Sequence, residues 1–257
     1  MKIWGRAYLA LIYLFVAGPA LMIAFDSFNA ATSFPSPFEG ATLRWYLALV
    51  RHDEFLRSMQ TSAIVATASA TLATALALPA GYALVRRRLP GADAIATLLL
   101  GPLLVPQIVM GLAMLQLIGL TGWNLGLFGL IAAHSVYVMP FAVRLAMTSF
   151  ARFDFRLIEA AQNLGAGRWR TTWHVTLPLI RTGVIAGFTF AFILSFVNLP
   201  VSLFLATPRT ATLPIEMFAY MESRIDPMVA AVGTLVLLAA VGITVVLERV
   251  FGLRIAG

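Results

Sequence analysis

Three sets of residues in this chain are of types that do chemistry: a Gly165-Ala166-Gly167 turn, an adjacent His134-Ser135 pair, and a few polar side chains inside apolar runs. A G-x-G turn can cradle a phosphate. The G-x-x-x-x-G-K-[ST] pattern that wraps a nucleotide occurs nowhere, however, and no strand is expected before the turn. His134 and Ser135 are of the right types for a base and a nucleophile, but neighbours on a helix point to different faces. An intramembrane hydrolase is therefore not expected. The absence of cysteine removes disulfides, thiolate metal sites and thiol chemistry. What remains is Gln107, His134, Tyr137, Ser195 and Asn198, which exchange hydrogen bonds without carrying a fixed charge. Two roles fit them: lining a path for a polar solute, or pairing between helices. No catalytic residue, metal site or cofactor is expected in the chain.

The elements that must hold these residues are membrane helices. Of 257 residues, 60% are hydrophobic and 11% charged, with a mean hydropathy of +0.90. A soluble domain carries roughly twice that charged fraction. Six charge-poor runs are long enough to cross a bilayer, which takes about 20 residues. They lie at 7–25, within 58–85, and at about 94–120, 125–143, 182–206 and 227–247. The expected fold class is an all-α polytopic membrane protein of about six transmembrane helices, with 1–257 as one transmembrane domain. The basic start MKIWGR raises the alternative of a cleaved leader for the first run. That run is longer than a usual leader core and no small-x-small site directly follows it, so a retained span is expected. At about 1.5 Å per residue, Gln107 and His134 fall near the middle of their spans, and Asn198 well past the middle of the fifth. Pro102, Pro106, Pro140 and Pro200 are expected to bend helices.

Orientation follows from the basic residues between spans. With the N-terminus inside, 13 of the 18 lysines and arginines face the cytoplasm, including Arg86, Arg87, Arg88 and Arg254, while 7 of the 11 acids face outward. Both termini are thus expected in the cytoplasm. The excess of positive charge is a topology signal, and no nucleic-acid partner is expected. The outer segment 26–57 reads as a proline-rich extended part and a short amphipathic helix over about 43–50, with Trp45 and Tyr46 suited to the lipid headgroups.

The segment 144–178 is the cytoplasmic loop. It contains EAAQNLGAGRWRTTWHVTLP, from Glu159 to Pro178. Asp154 is a candidate N-cap. Leu157, Ala161 and Leu164 share a helix face, with Ala160 beside them. Gly165 suits a left-handed helix end, and Gly167 allows a second change of direction. Trp169 and Trp173 lie on one side of a resumed helix, and Pro178 can sit in the first turn of the fifth span. The result is helix, glycine turn, helix. Both lying on lipid and docking into a groove on another protein are consistent with it.

The same stretch resembles the EAA signature of ABC importer permeases. That signature is E-A-A, three residues, G, nine residues, an aliphatic, one residue and L-P. Glu159-Ala160-Ala161, Gly165, Val175 and Leu177-Pro178 keep every spacing, with Val175 in place of the usual isoleucine. TLRWY (42–46), AGYALVRRRLPG (80–91), PLLVPQIVMGLAML (102–115), SLFLATPRTATLP (202–214) and DPMVAAVGTL (226–235) are similar to the branch serving polyamine, iron and phosphonate importers. The resemblance implies a type I importer permease fold in a bacterial inner membrane. Glu159, Ala160, Ala161, Leu164 and Gly165 would meet a cytoplasmic ATPase dimer, which holds the ATP and Mg. A related second permease subunit and a periplasmic binding protein would complete the importer. Polyamine permeases of this branch tend to carry acids in the fifth span, where this chain reads Ser195-Phe196-Val197-Asn198. A polycation would lose a counter-charge there, which keeps phosphonates, iron and other small solutes open. An ion-coupled secondary transporter is the alternative. Such proteins commonly use intramembrane carboxylates, and none lies within the six runs.

Overall fold

The computed structural model describes residues 2–33, 37–86, 90–122, 126–224 and 226–251. The expectations for the proline-rich positions 34–36, for Arg87, Arg88 and Arg254, and for the start of the fourth span at Leu125 lie outside the described residues.

The described residues form helices and no extended strand, as expected. In chain order these are α1 (Lys2–Asp26), α2 (Arg44–Val50), α3 (Asp53–Arg86), α4 (Ala92–Leu100), α5 (Gln107–Thr121), α6 (Leu127–Ala151) and α7 (Arg156–Asn163). Then follow α8 (Arg168–Thr171), α9 (Leu177–Phe196), α10 (Pro200–Leu205), α11 (Leu213–Ser223) and α12 (Met228–Phe251). The chain divides into two compact units, 1–57 with 216–245 and 58–215 with 246–257.

In the first unit, α1 leaves Tyr8, Leu11, Phe15 and Met22 exposed, as an apolar helix does when lipid is its solvent. The segment after it is organised by Asn29. Its Oδ1 accepts the N–H groups of Ala31 at 3.1 Å and Glu39 at 3.0 Å, and its Nδ2 donates to the Pro37 carbonyl at 3.2 Å. The short helix α2 forms as expected. Its aromatic polar atoms are engaged by the protein. The Trp45 indole donates to the Asn29 carbonyl at 2.8 Å, and the Tyr46 hydroxyl pairs with Ser27 at 2.7 Å.

The second unit carries the candidate site. Its core sets small residues among larger ones such as Leu130, Val138 and Leu205, and the small ones let helix backbones approach where no hydrophobic effect drives association. Ala70, Ala73 and Ala77 of α3 are buried with Ala133, Ala142 and Ala146 of α6 and Ala191 of α9. Ser69 of α3 donates to the Ile131 carbonyl of α6 at 3.0 Å. Gly183 and Gly187 face α6 so closely that a Cβ added at Gly183 would lie 2.8 Å from the Ser149 Cβ.

Five described helices, or six if a bent pair counts as one, are long and apolar enough to cross a membrane. Two of the expected spans are not single helices. The third breaks into 92–104 and 107–121, which meet at 110°. Pro102 opens a tight 3-10 turn, and Val105, placed before Pro106, is driven to an extended conformation. The fifth begins earlier than expected, because the helix runs on from Arg168 through a π-helical turn (Thr172–Thr176) into α9. It also ends earlier, at Phe196. Pro200 then starts the separate helix α10 in its first turn, where its missing N–H is not needed.

Candidate functional site

The loop 144–178 is shorter than its sequence range, since α6 continues to Ala151. Asp154 anchors α7 from one residue before the N-cap, a position that Phe155 takes instead of the expected Asp154. Its carbonyl accepts the Leu157 N–H at 3.1 Å and its Oδ1 the Arg156 N–H at 3.0 Å. The Arg156 guanidinium lies flat against the same carboxylate, with Nε at 3.0 Å and Nη2 at 2.8 Å. That hydrogen bonding holds the Asp154 carboxyl below its ordinary range.

α7 turns Ile158 inward, buried to 7% exposure, and leaves Leu157 at 43% and Leu164 at 89%. Ala160 is exposed and Ala161 half-buried, so an apolar face beside Glu159 is uncovered. Gly165 ends the helix at φ +85°, the left-handed region that favours glycine. Two bonds lock that end: Ala166 N–H to the Ala161 carbonyl at 3.0 Å, and Gly165 N–H to the Gln162 carbonyl at 2.9 Å. This is the Schellman pattern, which satisfies carbonyls a helix end would leave open. Gly167 differs from the expectation. It sits at φ −66° and ψ 162°, which any residue adopts. The chain changes direction there without needing glycine. Trp169 and Trp173 are both exposed, and Pro178 takes the first turn of α9 as expected.

The five polar residues inside the apolar runs form one connected network. Gln107 Nε2 donates to the Tyr137 hydroxyl at 2.9 Å, and Asn198 Nδ2 donates to Gln107 Oε1 at 3.2 Å. Asn198 Oδ1 accepts the Val201 N–H at 2.9 Å, so Asn198 caps the start of α10 instead of lying within a span helix. Ser202 extends the chain by donating to the Asn198 carbonyl at 2.8 Å. His134 bridges two hydroxyls, with Nδ1 at 2.8 Å from Ser195 and Nε2 at 2.9 Å from Ser202. A serine has one proton to donate. Ser202 gives it to Asn198, so Nε2–H donates to Ser202 and Nδ1 accepts from Ser195. Ser135 bonds only to its own helix, at the Ile131 carbonyl, and points away from His134 as expected.

Burial grades along this network. His134, Ser195, Asn198 and Ser202 are buried, while Gln107 is exposed at the break before α5. The buried end has its polar groups matched, as interhelical pairing requires. The amide end at Gln107 is exposed. Ser202 was not anticipated. Its signal was the i, i+4 spacing from Asn198, which a single hydroxyl in an apolar run makes easy to pass over.

Broken apolar spans, a neutral polar layer beside the breaks, and a short surface helix with an uncovered apolar face define the class: a multispan membrane transport subunit. The comparisons narrow it. The family model described as binding-protein-dependent transport system inner membrane component matches residues 1–256. The spermidine/putrescine transport system permease protein PotC of Escherichia coli K12 is 31% identical over 230 residues, covering 90% of this chain and 87% of that protein. The putrescine transport system permease protein PotI of the same strain is 31% identical over 247 residues, covering 93% and 87%. A probable molybdenum ABC transporter permease protein of Haloferax volcanii is 33% identical over 211 residues, covering 75% and 78%.

Among solved structures, a bacterial ABC transporter that imports the acidic polysaccharide alginate superposes with a TM-score of 0.72 at 15% identity, covering 99% of this chain and 96% of its own. The MetNI methionine ABC transporter, in inward-facing conformations, gives 0.61 at 19% identity, covering 81% and 97%. The chain belongs to the family of binding-protein-dependent transport system inner membrane components. It is a permease subunit of an ABC importer, with that permease fold, a multi-pass protein of the inner membrane.

Proposed function

We propose that this chain takes the energy for transport from a separate ATPase subunit through α7. The uncovered face of Leu157, Ala160, Ala161 and Leu164, closed by the Gly165 turn, carries this reading. An amphipathic helix of this size seats in a groove as a helix-in-groove contact. Both termini and α7 then lie in the cytoplasm, in line with the excess of arginine on that side. The ATPase dimer holds ATP and Mg, a related second permease subunit completes the pathway, and a periplasmic binding protein delivers solute to the outer face. ATP binding draws the coupling helices together and shifts the population toward an outward-open state; hydrolysis returns it.

The solute is a small polar molecule, and the polyamine class is our first reading, because two relatives named for spermidine and putrescine match at 31% over most of the chain. Gln107, at the exposed end of the network, offers it a neutral oxygen and donors, with Tyr137, Asn198, His134 and Ser195 supporting it from the buried side. A counter-charge for an ammonium then comes from the second subunit. The absence of acids from the expected spans supports a second reading, an oxyanion, and one relative is named for molybdenum.

The test is calorimetry of the transporter's periplasmic binding protein, titrated with spermidine, putrescine, a phosphonate and molybdate, followed by uptake of the ligand that binds. Binding of spermidine or putrescine alone supports the first reading; binding of molybdate or the phosphonate alone replaces it with the second. Uptake that persists without ATP or an ATPase subunit sinks both.

A further inference from the structure

We infer that Arg86 is a positioning residue for the coupling helix, acting through Glu159; the inference rests on the proposed docking of α7 on an ATPase. Arg86 is in the last turn of α3, and its Nη2 lies 3.6 Å from Glu159 Oε1 in the first turn of α7. Each charge suits its own helix end, a cation at a C-terminus and an anion at an N-terminus. An ion pair of this exposure is a weak strut alone, because two long side chains lose freedom to form it. Arg86 has already lost most of that freedom. Its guanidinium lies 5.8 Å from the ring centre of Phe155 and 5.7 Å from that of Tyr82, and its Nη1 donates to the Tyr82 hydroxyl. A planar guanidinium held by ring faces is pre-organised for a further contact, as a lysine would not be.

The rings are themselves fixed. Tyr82 meets Phe150 edge-on at 5.5 Å and Phe155 at 5.7 Å, and Phe153 meets Phe155 at 5.3 Å. The cluster joins the end of α3, the end of α6 and the turn into α7. The Arg86 side chain is 21% exposed and that of Glu159 58%. Glu159 therefore has one oxygen toward Arg86 and ample surface left for a partner. Arg86 fixes where the carboxylate stands and ties α7 to the spanning helix α3. A push or pull on α7 then reaches α3 through a charged link as well as through the chain.

The experiment is a double-mutant cycle in the assembled transporter, reconstituted with its ATPase, second permease and binding protein as purified from the periplasm. Arg86→Gln is expected to keep the ATPase bound yet lower binding-protein-stimulated ATP hydrolysis roughly tenfold. Glu159→Gln is expected to lower it at least as far, and the double variant no further than the lower single. Arg86→Lys, which keeps the charge but not the planar fork held by the rings, is expected to restore only part of the rate. Full stimulation in Arg86→Gln, no recovery in Arg86→Lys, or a double variant at the product of the two single losses overturns the inference. Leu164→Asp separates the two levels. If it leaves the ATPase bound, the docking reading fails and the latch with it. If it releases the ATPase while the cycle is multiplicative, the latch alone fails.

Discussion

The side-chain amides of Gln107 and Asn198 meet at 3.2 Å, and each stands at a break in a spanning segment. Gln107 follows Pro106 at the start of α5; Asn198 precedes Pro200 and caps α10. The two short helices are also in close contact, since a Cβ added at Gly111 would lie 3.0 Å from the Pro200 carbonyl. The amide pair thus ties one break to the other. Asn198→Ala removes the bond to Gln107 and the cap on Val201 together. The expected loss is about 1–3 kcal/mol, the usual consequence of leaving a buried donor unmatched. Gln107→Ala, at the exposed end, is expected to lower stability less and uptake more. Thermal unfolding of the detergent-solubilised chain and uptake in vesicles read the two effects separately.

The glycine turn gives a second contrast. At φ +85° an alanine at position 165 meets steric strain of about 1–2 kcal/mol. Gly165→Ala is expected to fray the end of α7 and reduce retention of the ATPase, and Gly165→Asn to do so less, since asparagine tolerates that region. Gly167→Ala is expected to change nothing beyond about 0.5 kcal/mol. Equal losses from both alanine variants would show that conformational freedom is not what position 165 supplies. Co-purification of the ATPase with each variant makes the measurement.

Which of these features could be read from sequence depends on the distance over which they are determined. The Gly165 turn and the Asp154 anchor are set within six residues, so local rules find them. The spans are set by hydropathy, which locates them; five of the expected six are found among the described residues, or six with the bent pair counted as one. Hydropathy does not register backbone direction; the prolines do, and 94–120 and 182–206 break at Pro102, Pro106 and Pro200 as expected, while Pro140 lies inside the single helix α6. Asn198 was assigned a depth in a helix when it caps a new one. Ser202 was passed over because its role depends on His134, 68 positions away. Arg86 was counted only as a topology charge. Its neighbours Tyr82, Phe155 and Glu159 come together only when α3, α6 and α7 pack.

The Asp154 anchor carries a pH prediction. Its carboxyl titrates below 3.8 because Arg156 hydrogen-bonds to the charged form. A group lowered on folding contributes above its unfolded pKa, and the contribution fades as pH falls through the folded value. The start of α7 should therefore be insensitive to pH between about 5 and 8 and loosen only below about 4. The site is fully exposed, so salt weakens the effect. Carboxyl-carbon NMR of the chain in nanodiscs reads the midpoint directly. A value at or above 3.8 would contradict the geometry, and in Arg156→Gln the midpoint should rise toward it.

The approach of α9 to α6 is set by Gly183, and its neighbour makes the prediction specific. A Cβ there would contact both Oγ and Cβ of Ser149. Rotating the serine hydroxyl cannot relieve the second contact, so one helix must shift. Ser149 is further held by its bond to the Leu145 carbonyl at 2.9 Å. Gly183→Ala is expected to destabilise by about 1–3 kcal/mol, the range for overpacking a filled interface. Gly242→Ala, with open space around it, is expected to be neutral or slightly stabilising because alanine is the better helix former. If the clash with Ser149 is the cause, Ser149→Gly introduced with Gly183→Ala should return much of the loss, a coupling that thermal unfolding of the four combinations measures. Strict additivity would show that the contact with Ser149 is not the cause of the loss.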